Sequence, residues 1–147
     1  MEKWIWIALV ALAGAMLPMQ AGLNARIGKI IESPIHASFI SFCVGAIGLL
    51  AYILATKQHF QHSQIKNIPP EAWTSGLLGA FYVTVVILAF PRLGAALTFG
   101  LIVAGQLLLS VTLDHYKILV LHPQPFNGLR FLGIILIVLG VIIIRRF

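Results

Sequence analysis

A few uncharged polar side chains lie inside long apolar stretches of this chain, and their spacing is that of a helix face. Gln20 and Asn24 are one helical turn apart, so a helix would carry both amides on one side. Pro18 removes a backbone hydrogen bond just before them, which frees the carbonyl of Gly14 and favours a kink. Because polar groups are costly inside a bilayer, two amides beside a kink could line a polar cavity.

A second polar face is predicted in a later stretch of the chain. Gln106, Ser110 and Asp114 follow one another at four-residue intervals, and Thr98 comes earlier in the same stretch. One side of that helix would therefore be polar from its middle to its end. The candidate substrate-binding residues of the whole chain are Gln20, Asn24, Tyr82, Thr98, Gln106 and Ser110.

These polar residues also have a purely structural interpretation. Polar side chains often form hydrogen bonds between membrane helices and hold the bundle together. The sequence leaves both roles open for Gln20 and Gln106, and it favours helix–helix bonding for Ser110. Tyr82 lies in the middle of another apolar stretch, where its ring could face a cavity or simply pack.

The acidic residues all lie at or near the ends of the apolar stretches; they are Glu2, Glu32, Glu71 and Asp114. No carboxylate is predicted at mid-membrane, which disfavours cation export through a buried acid that binds either a proton or the cation. Asp114 and His115 form the best candidate for a titrating pair, as a gate or a proton site. The alternative is that they mark an ordinary helix end at the membrane interface.

The sequence offers no enzyme signature, no metal site and no cofactor site. His59 and His62 have a metal-like spacing, but they lie in a polar loop without a third ligand nearby. There is no nucleophile elbow, phosphate-binding loop or pair of catalytic carboxylates. The formal net charge of +6 is spread over the ends of apolar stretches rather than along a stripe, so nucleic-acid binding is not expected.

The elements that must position the polar residues are membrane-spanning helices. Of the 147 residues, 60% are hydrophobic and 10% are charged, whereas a soluble domain usually carries about 25% charged residues. The near-continuous apolar stretches exclude the alternating pattern of barrel strands. They predict an all-α integral membrane protein, one domain over residues 1–147, with helices at about 4–23, 35–55, 73–90, 93–113 and 129–144.

The basic residues do not favour one orientation in the membrane. Five spans would place five Lys and Arg residues on each side, although an excess on the cytoplasmic side normally sets orientation. One interpretation is dual topology, in which two copies pair antiparallel and form a ten-helix inverted repeat. The other is that a few local residues decide the orientation and the equal count is accidental.

Seven motifs follow one another in order along nearly the whole chain. They are Pro18-x-Gln20-x-x-Leu23-Asn24-Ala25-x-x-Gly28, Ser41-Phe42-x-x-Gly45, Pro91-x-x-Gly94-Ala95-Ala96, Gly105-Gln106, Leu113-Asp114-His115, Arg130-x-x-Gly133 and Gly140-Val141. This ordered set resembles the YdcZ family, the short five-helix branch of the drug/metabolite transporter superfamily. One position departs from the family pattern, in which glycine often follows the Asp-His-aromatic run, because this chain has Lys117 there.

The resemblance implies a helical transporter of the alternating-access type in the bacterial inner membrane, working as a paired or dual-topology unit. We therefore predict an exporter of a small polar solute, active as an antiparallel homodimer or as a heterodimer with a paired homologue. Membrane lipid and a small-molecule substrate are the other expected partners. Two alternatives stay open: a flippase for lipids or lipid-linked molecules, and a membrane subunit that transports nothing itself.

Overall fold

All the secondary structure of the described residues is helical, and five of the helices are long. The computed structural model describes residues 2–59, 62–120, 122–125 and 127–146. The long helices are α1 (Glu2–Ile30), α2 (Pro34–Ala55), α3 (Ser75–Leu93), α4 (Ala95–Tyr116) and α5 (Gly128–Arg146). Two short 3₁₀ helices, His62–Asn67 and Pro70–Thr74, lie between α2 and α3.

The five helices are long and apolar enough to cross a membrane. At 1.5 Å per residue the 19 residues of α3 or α5 extend roughly 28 Å, close to the thickness of the hydrocarbon core. Large apolar side chains are exposed along every one of these helices, whereas the buried positions include small residues such as Ala21, Ala37 and Ala104. An all-α integral membrane protein, as predicted, explains this distribution because lipid covers the exposed apolar side chains.

Helix α1 continues to Ile30, beyond the predicted end at Leu23. The apolar stretch stops at Asn24, but a helix does not need apolar residues to keep its backbone hydrogen bonds. The helix ends where Glu32 takes a left-handed φ of 52°, which lets the Ser33 N–H donate to the Gly28 carbonyl at 3.0 Å. This closure satisfies a carbonyl that the helix itself would leave unpaired. Pro18 lies inside α1, which is one continuous helix across it.

The start of α2 agrees with the turn chemistry of the sequence. Ser33 caps the helix, its hydroxyl accepting a hydrogen bond from the His36 N–H at 3.3 Å, and Pro34 occupies the first helical position. The three-residue turn between α1 and α2 makes these helices antiparallel neighbours, so the end of α1 and the start of α2 lie at the same membrane face.

The predicted boundary between the third and fourth helices is displaced by a few residues. Helix α3 was predicted to end at Phe90, yet it passes through Pro91 and ends at Leu93. Proline cannot donate the backbone hydrogen bond of its turn, and α3 ends two residues after it. Gly94 is the single residue between α3 and α4, and its φ of 78° is a conformation that glycine adopts readily.

The chain forms two compact units, Met1–Arg92 and Leu93–Phe147. In the first unit, Gly28 allows close packing, because a Cβ atom at this position would lie 3.3 Å from Ile87 and 3.5 Å from Ala37. In the second unit, α4 packs on α5 at Gly100, where a Cβ atom would lie only 2.9 Å from Val141. Small residues thus let membrane helices approach closely within each unit. The single-domain organisation stays a prediction.

Candidate functional site

The two amides of α1 have different environments in the first unit. Asn24 is buried, with 5% of its surface exposed, and its side-chain N–H donates to the Ser41 hydroxyl on α2 at 3.1 Å. Gln20, one turn earlier on the same helix face, is exposed. The amide of Asn24 therefore already has a partner between helices, while that of Gln20 is accessible.

Gln20 borders an open groove of about 340 Å³ between the helices of the first unit. Ser41 lines the same groove, so the Asn24–Ser41 hydrogen bond lies at its edge. The rest of the wall is apolar and comes from α2 and α3; its residues are Phe42, Gly45, Ala46, Leu49 and Val83. A few polar groups in an apolar wall are typical of a site that orients a small ligand by hydrogen bonds.

A second polar contact joins α2 to α3. The Thr84 hydroxyl donates to the Ala80 carbonyl of its own helix at 2.8 Å and lies 2.8 Å from the Ser38 hydroxyl. Since the Thr84 proton is directed to Ala80, the Ser38 hydroxyl must donate to Thr84. Ser38 is buried, so this pair works as a hydrogen bond that holds the two helices together.

The hydroxyl of Tyr82 is buried and has no hydrogen-bond partner among the described residues. A buried, unpaired hydroxyl costs about 1–3 kcal/mol relative to a paired one. The side chain as a whole is half-buried on α3. The fold therefore leaves this donor without an acceptor among the described residues.

The polar face of α4 lies in the second unit. Gln106 is near the middle of the helix, and both Gln106 and Ser110 are exposed. Thr98 is buried instead, and its hydroxyl donates to the Gly94 carbonyl at 2.7 Å. Among the three, Gln106 and Ser110 can meet a ligand or another helix, whereas the Thr98 proton is held by its own backbone.

Asp114 forms an ion pair with Arg130, the N–O distance being 3.1 Å. Asp114 lies in the last turn of α4 and Arg130 in the first turn of α5, and their side chains are 15% and 34% exposed. The Arg130 guanidinium also donates to the Gln124 carbonyl at 3.2 Å, so it ties the loop to both helix ends. His115, the other member of the predicted titrating pair, is exposed and meets the Tyr116 ring edge to face.

Both charges of this pair lie at the unfavourable end of their helix. The carboxyl end of a helix carries partial negative charge and its amino end partial positive charge. Asp114 therefore lies at a negative helix end and Arg130 at a positive one. The ion pair compensates for both placements, which explains why the two residues occur together.

Comparison with known proteins identifies the family. The family described as "Putative inner membrane exporter, YdcZ" matches residues 5–143. The chain is also 30% identical over 150 residues to the inner membrane protein YdcZ of Escherichia coli K12, covering 99% of this chain and 98% of that protein. The chain belongs to the YdcZ family. No solved structure matches it.

Membership confirms the resemblance that the motifs indicated, and with it the predicted location. With five helices able to span a bilayer and this family assignment, the chain is a multi-pass protein of the bacterial inner membrane. The YdcZ family is not a family of enzymes, in agreement with the missing enzyme signatures.

The departure from the YdcZ pattern at Lys117 has a structural consequence. Lys117 follows the last residue of α4 and has a φ of 57°, in the left-handed region. The Ile118 N–H donates to the Leu113 carbonyl at 3.0 Å, which closes the helix in the way that a glycine normally would. The loop after Asp114 therefore keeps a glycine-type turn, although a lysine occupies the position.

Sequence reasoning missed several partners of the polar residues. The sequence indicates Ser41 and Arg130 only as members of motifs, and it does not indicate Ser38 or Thr84 at all. These residues gain their roles through contacts between residues that are far apart in the sequence. Asp114 and Arg130, for example, are separated by 16 positions. A charge-pair search between neighbouring helix ends would have found Arg130, whereas nothing in the sequence marks Ser38.

Proposed function

We propose that this chain is an alternating-access exporter of a small polar solute and that it works as an antiparallel homodimer. The observation that carries the proposal is the exposure of Gln20 and Gln106 well inside apolar helices. An amide without a hydrogen-bond partner in hydrocarbon costs several kcal/mol, about 4–8 in an environment where no partner exists. A water-filled cavity shared with a second copy removes this penalty and provides a site for a polar solute.

The candidate residues favour a ligand that exchanges hydrogen bonds rather than one held by charge. Gln20 and Gln106 each offer an N–H donor and a carbonyl acceptor, and Tyr82 has a hydroxyl that bonds no described residue. The acids of the chain lie at helix ends or in loops. A small solute with several hydroxyl, amide or similar groups fits such a lining.

The Asp114–Arg130 pair is the proposed gate. It joins the end of α4 to the start of α5 at one membrane face, and a local change of charge would release Arg130 from both helix ends. Alternating access needs contacts of this kind that can form in one state and break in the other. His115 lies beside Asp114 in the sequence and is the proposed partner in proton exchange.

The antiparallel arrangement is proposed on the equal distribution of basic residues. With no excess of Lys and Arg on one side, copies can insert both ways and restore the inverted repeat of larger transporters. A tag at the C-terminus should then report both sides of the membrane. Tags that report a single side refute the antiparallel homodimer. A heterodimer with an oppositely oriented homologue would then be tested by co-expression.

Transport is tested with purified protein. A thermal-shift screen of polar metabolites should identify a ligand, since a ligand that binds only the folded state raises its stability. The best ligand is then followed in liposomes for wild type, Gln20→Ala, Gln106→Ala and the loop control Gln58→Ala. We expect at least a tenfold loss of transport in the first two variants and none in the control. Equal transport by all four proteins refutes the cavity.

A flippase for lipids or lipid-linked molecules is the second candidate function. The observation in its favour is that the groove beside Gln20 is open and has largely apolar walls. A fluorescent phospholipid in the same liposomes separates the two functions. Flipping of the lipid without movement of polar solutes favours the flippase, and the opposite result favours the exporter.

A further inference from the structure

A second cavity in the first unit carries a cluster of basic side chains at one membrane face. It has a volume of about 630 Å³ and lies between the end of α1, the start of α2 and the end of α3. Arg26, Lys29 and Arg92 line it. Apart from their part in the equal distribution of Lys and Arg, none of the roles discussed above uses these three residues.

These cations have no acidic partner among the described residues. The side chains of Arg26 and Lys29 make no hydrogen bond or ion pair with any described residue. Arg92 donates one N–H to the Leu88 carbonyl, and its guanidinium keeps further donors free. Glu32, the nearest acid in the sequence, lies in the turn after α1 and is not paired with a described cation.

The rest of the cavity wall is apolar and points to the kind of ligand that would fit. Gly22, Ile87, Leu88 and Phe90 line it on the side toward the membrane interior, since each precedes a basic residue in its own helix. A cavity with cations at the membrane face and an apolar wall below matches an amphiphile with an anionic head. Basic pockets between membrane helices are known to hold lipid phosphates.

We propose that this cavity binds the headgroup phosphate of an anionic phospholipid. Arg26, Lys29 and Arg92 hold the phosphate, and the wall formed by Ile87 and Phe90 contacts the upper part of the acyl chains. A second copy of the chain is a poor occupant because the whole sequence has only four acids, one of them paired with Arg130. A free phosphate ion would leave the apolar wall unused.

Native mass spectrometry of the full-length protein, titrated with phosphatidylglycerol or phosphatidylcholine, tests the site. Wild type should retain phosphatidylglycerol and show a clear preference for it over phosphatidylcholine. Each Lys or Arg near the membrane surface contributes about a fivefold factor in affinity for anionic lipid. The double variant Arg26→Gln/Lys29→Gln should therefore bind phosphatidylglycerol roughly thirtyfold more weakly, and Arg92→Gln about fivefold more weakly.

Two controls separate this site from general attraction between basic residues and anionic lipid. Lys57→Gln/Lys66→Gln removes the same charge from the loop after α2, at the opposite end of that helix, and should keep wild-type binding. Arg26→Lys/Lys29→Arg keeps both charges and should also bind, which shows that the cavity still folds when these positions change. Equal losses in the two charge-removing double variants overturn the proposal.

Excess inorganic phosphate distinguishes the two sources of a phosphate group. The proposal predicts that phosphate competes only weakly, because it lacks the acyl chains that contact the apolar wall. Complete displacement of phosphatidylglycerol by inorganic phosphate would assign the cavity to a soluble anion and refute the lipid. The experiment measures binding alone, so its result is independent of solute transport.

Discussion

Exchanging the charges of Asp114 and Arg130 separates the effect of their ion pair from the effect of the helix ends that carry them. The double variant Asp114→Arg/Arg130→Asp keeps one charge of each sign at the same membrane face. It places the cation at the end of α4 and the anion at the start of α5. Each charge then lies at the helix end that favours it.

The expected gain follows from the two helix ends. A charge at a favourable helix end stabilises the folded protein by about 0.5 kcal/mol, and a charge at an unfavourable end destabilises it by a similar amount. Each reversed charge changes the stability by about 1 kcal/mol, so reversing both stabilises the folded protein by about 2 kcal/mol. Because the exchanged side chains differ in length from the native ones, the new ion pair will be less well aligned. We expect a net stabilisation of about 1 kcal/mol.

The single variants should both destabilise, but to different extents. Arg130→Gln leaves the more buried Asp114 carboxylate without its partner and should cost about 2 kcal/mol. Asp114→Asn leaves the more exposed Arg130, which keeps its bond to the Gln124 carbonyl, and should cost about 1 kcal/mol. Since the two residues touch, their effects are not additive, and the double variant Asp114→Asn/Arg130→Gln completes a cycle that measures their coupling.

Equilibrium unfolding in detergent, followed by circular dichroism at low and high salt, measures the stability of wild type and of these four variants. The gain of the exchanged pair should shrink at high salt, because helix-end effects are screened. An exchanged variant that is less stable than both single variants refutes the helix-end reasoning. A coupling energy near zero refutes the ion pair as a source of stability and weakens its proposed role as a gate.

Three further predictions concern single residues, each followed by thermal unfolding in detergent. Gly100→Ala should lower the unfolding temperature by several degrees because its methyl group has no room, whereas Gly105→Ala, facing open space, should not. Lys117→Gly should stabilise by about 1 kcal/mol by relieving a left-handed backbone, and Lys66→Gly, without positive φ, should not. Equal changes in unfolding temperature for the two glycine variants, or for the two lysine variants, contradict the reasoning. Tyr82→Phe removes a buried hydroxyl that has no partner among the described residues, so it should raise stability by about 1 kcal/mol and lower transport. Unchanged transport assigns Tyr82 to packing alone.

The apolar stretches predicted the existence of the long helices better than their ends. Hydropathy reports which residues prefer lipid, and a helix can continue into the interface on polar residues. For this reason α1 passes Asn24, Arg26 and Lys29 before it ends, and α3 includes Arg92. By contrast, Ser33 and Pro34 give α2 a cap with its own chemistry, so its start lies within one residue of the predicted position.

The candidate site was predictable within single helices but not between them. Helical spacing places Gln20 and Asn24 on one face without further information. Which of them finds a partner depends on how α2 crosses α1, and that crossing brings Ser41 to Asn24. The spacing of polar residues along one helix contains no information on the rotation of its neighbour. For the same reason, the sequence does not predict the contact between Ser38 on α2 and Thr84 on α3.

Gln20 and Asn24 lie in different environments, so we expect Asn24 to stabilise the fold and Gln20 to contact the solute, which mutations can test. Asn24 is buried and bonded to Ser41, so Asn24→Ala leaves a hydroxyl without its partner and should destabilise by about 1–2 kcal/mol. Gln20 is exposed and borders the groove, so Gln20→Ala should change stability by less than about 0.5 kcal/mol while it reduces transport.

The Ser41→Ala variant is the matched control for this division. If Asn24 acts by joining α1 to α2, Ser41→Ala should destabilise nearly as much as Asn24→Ala, and the double variant should cost little more than either. Additive losses would mean that the two side chains act separately. Ligand binding that survives in Gln20→Ala but is lost in a fully folded Asn24→Ala would reverse the assignment and make the buried amide the substrate contact.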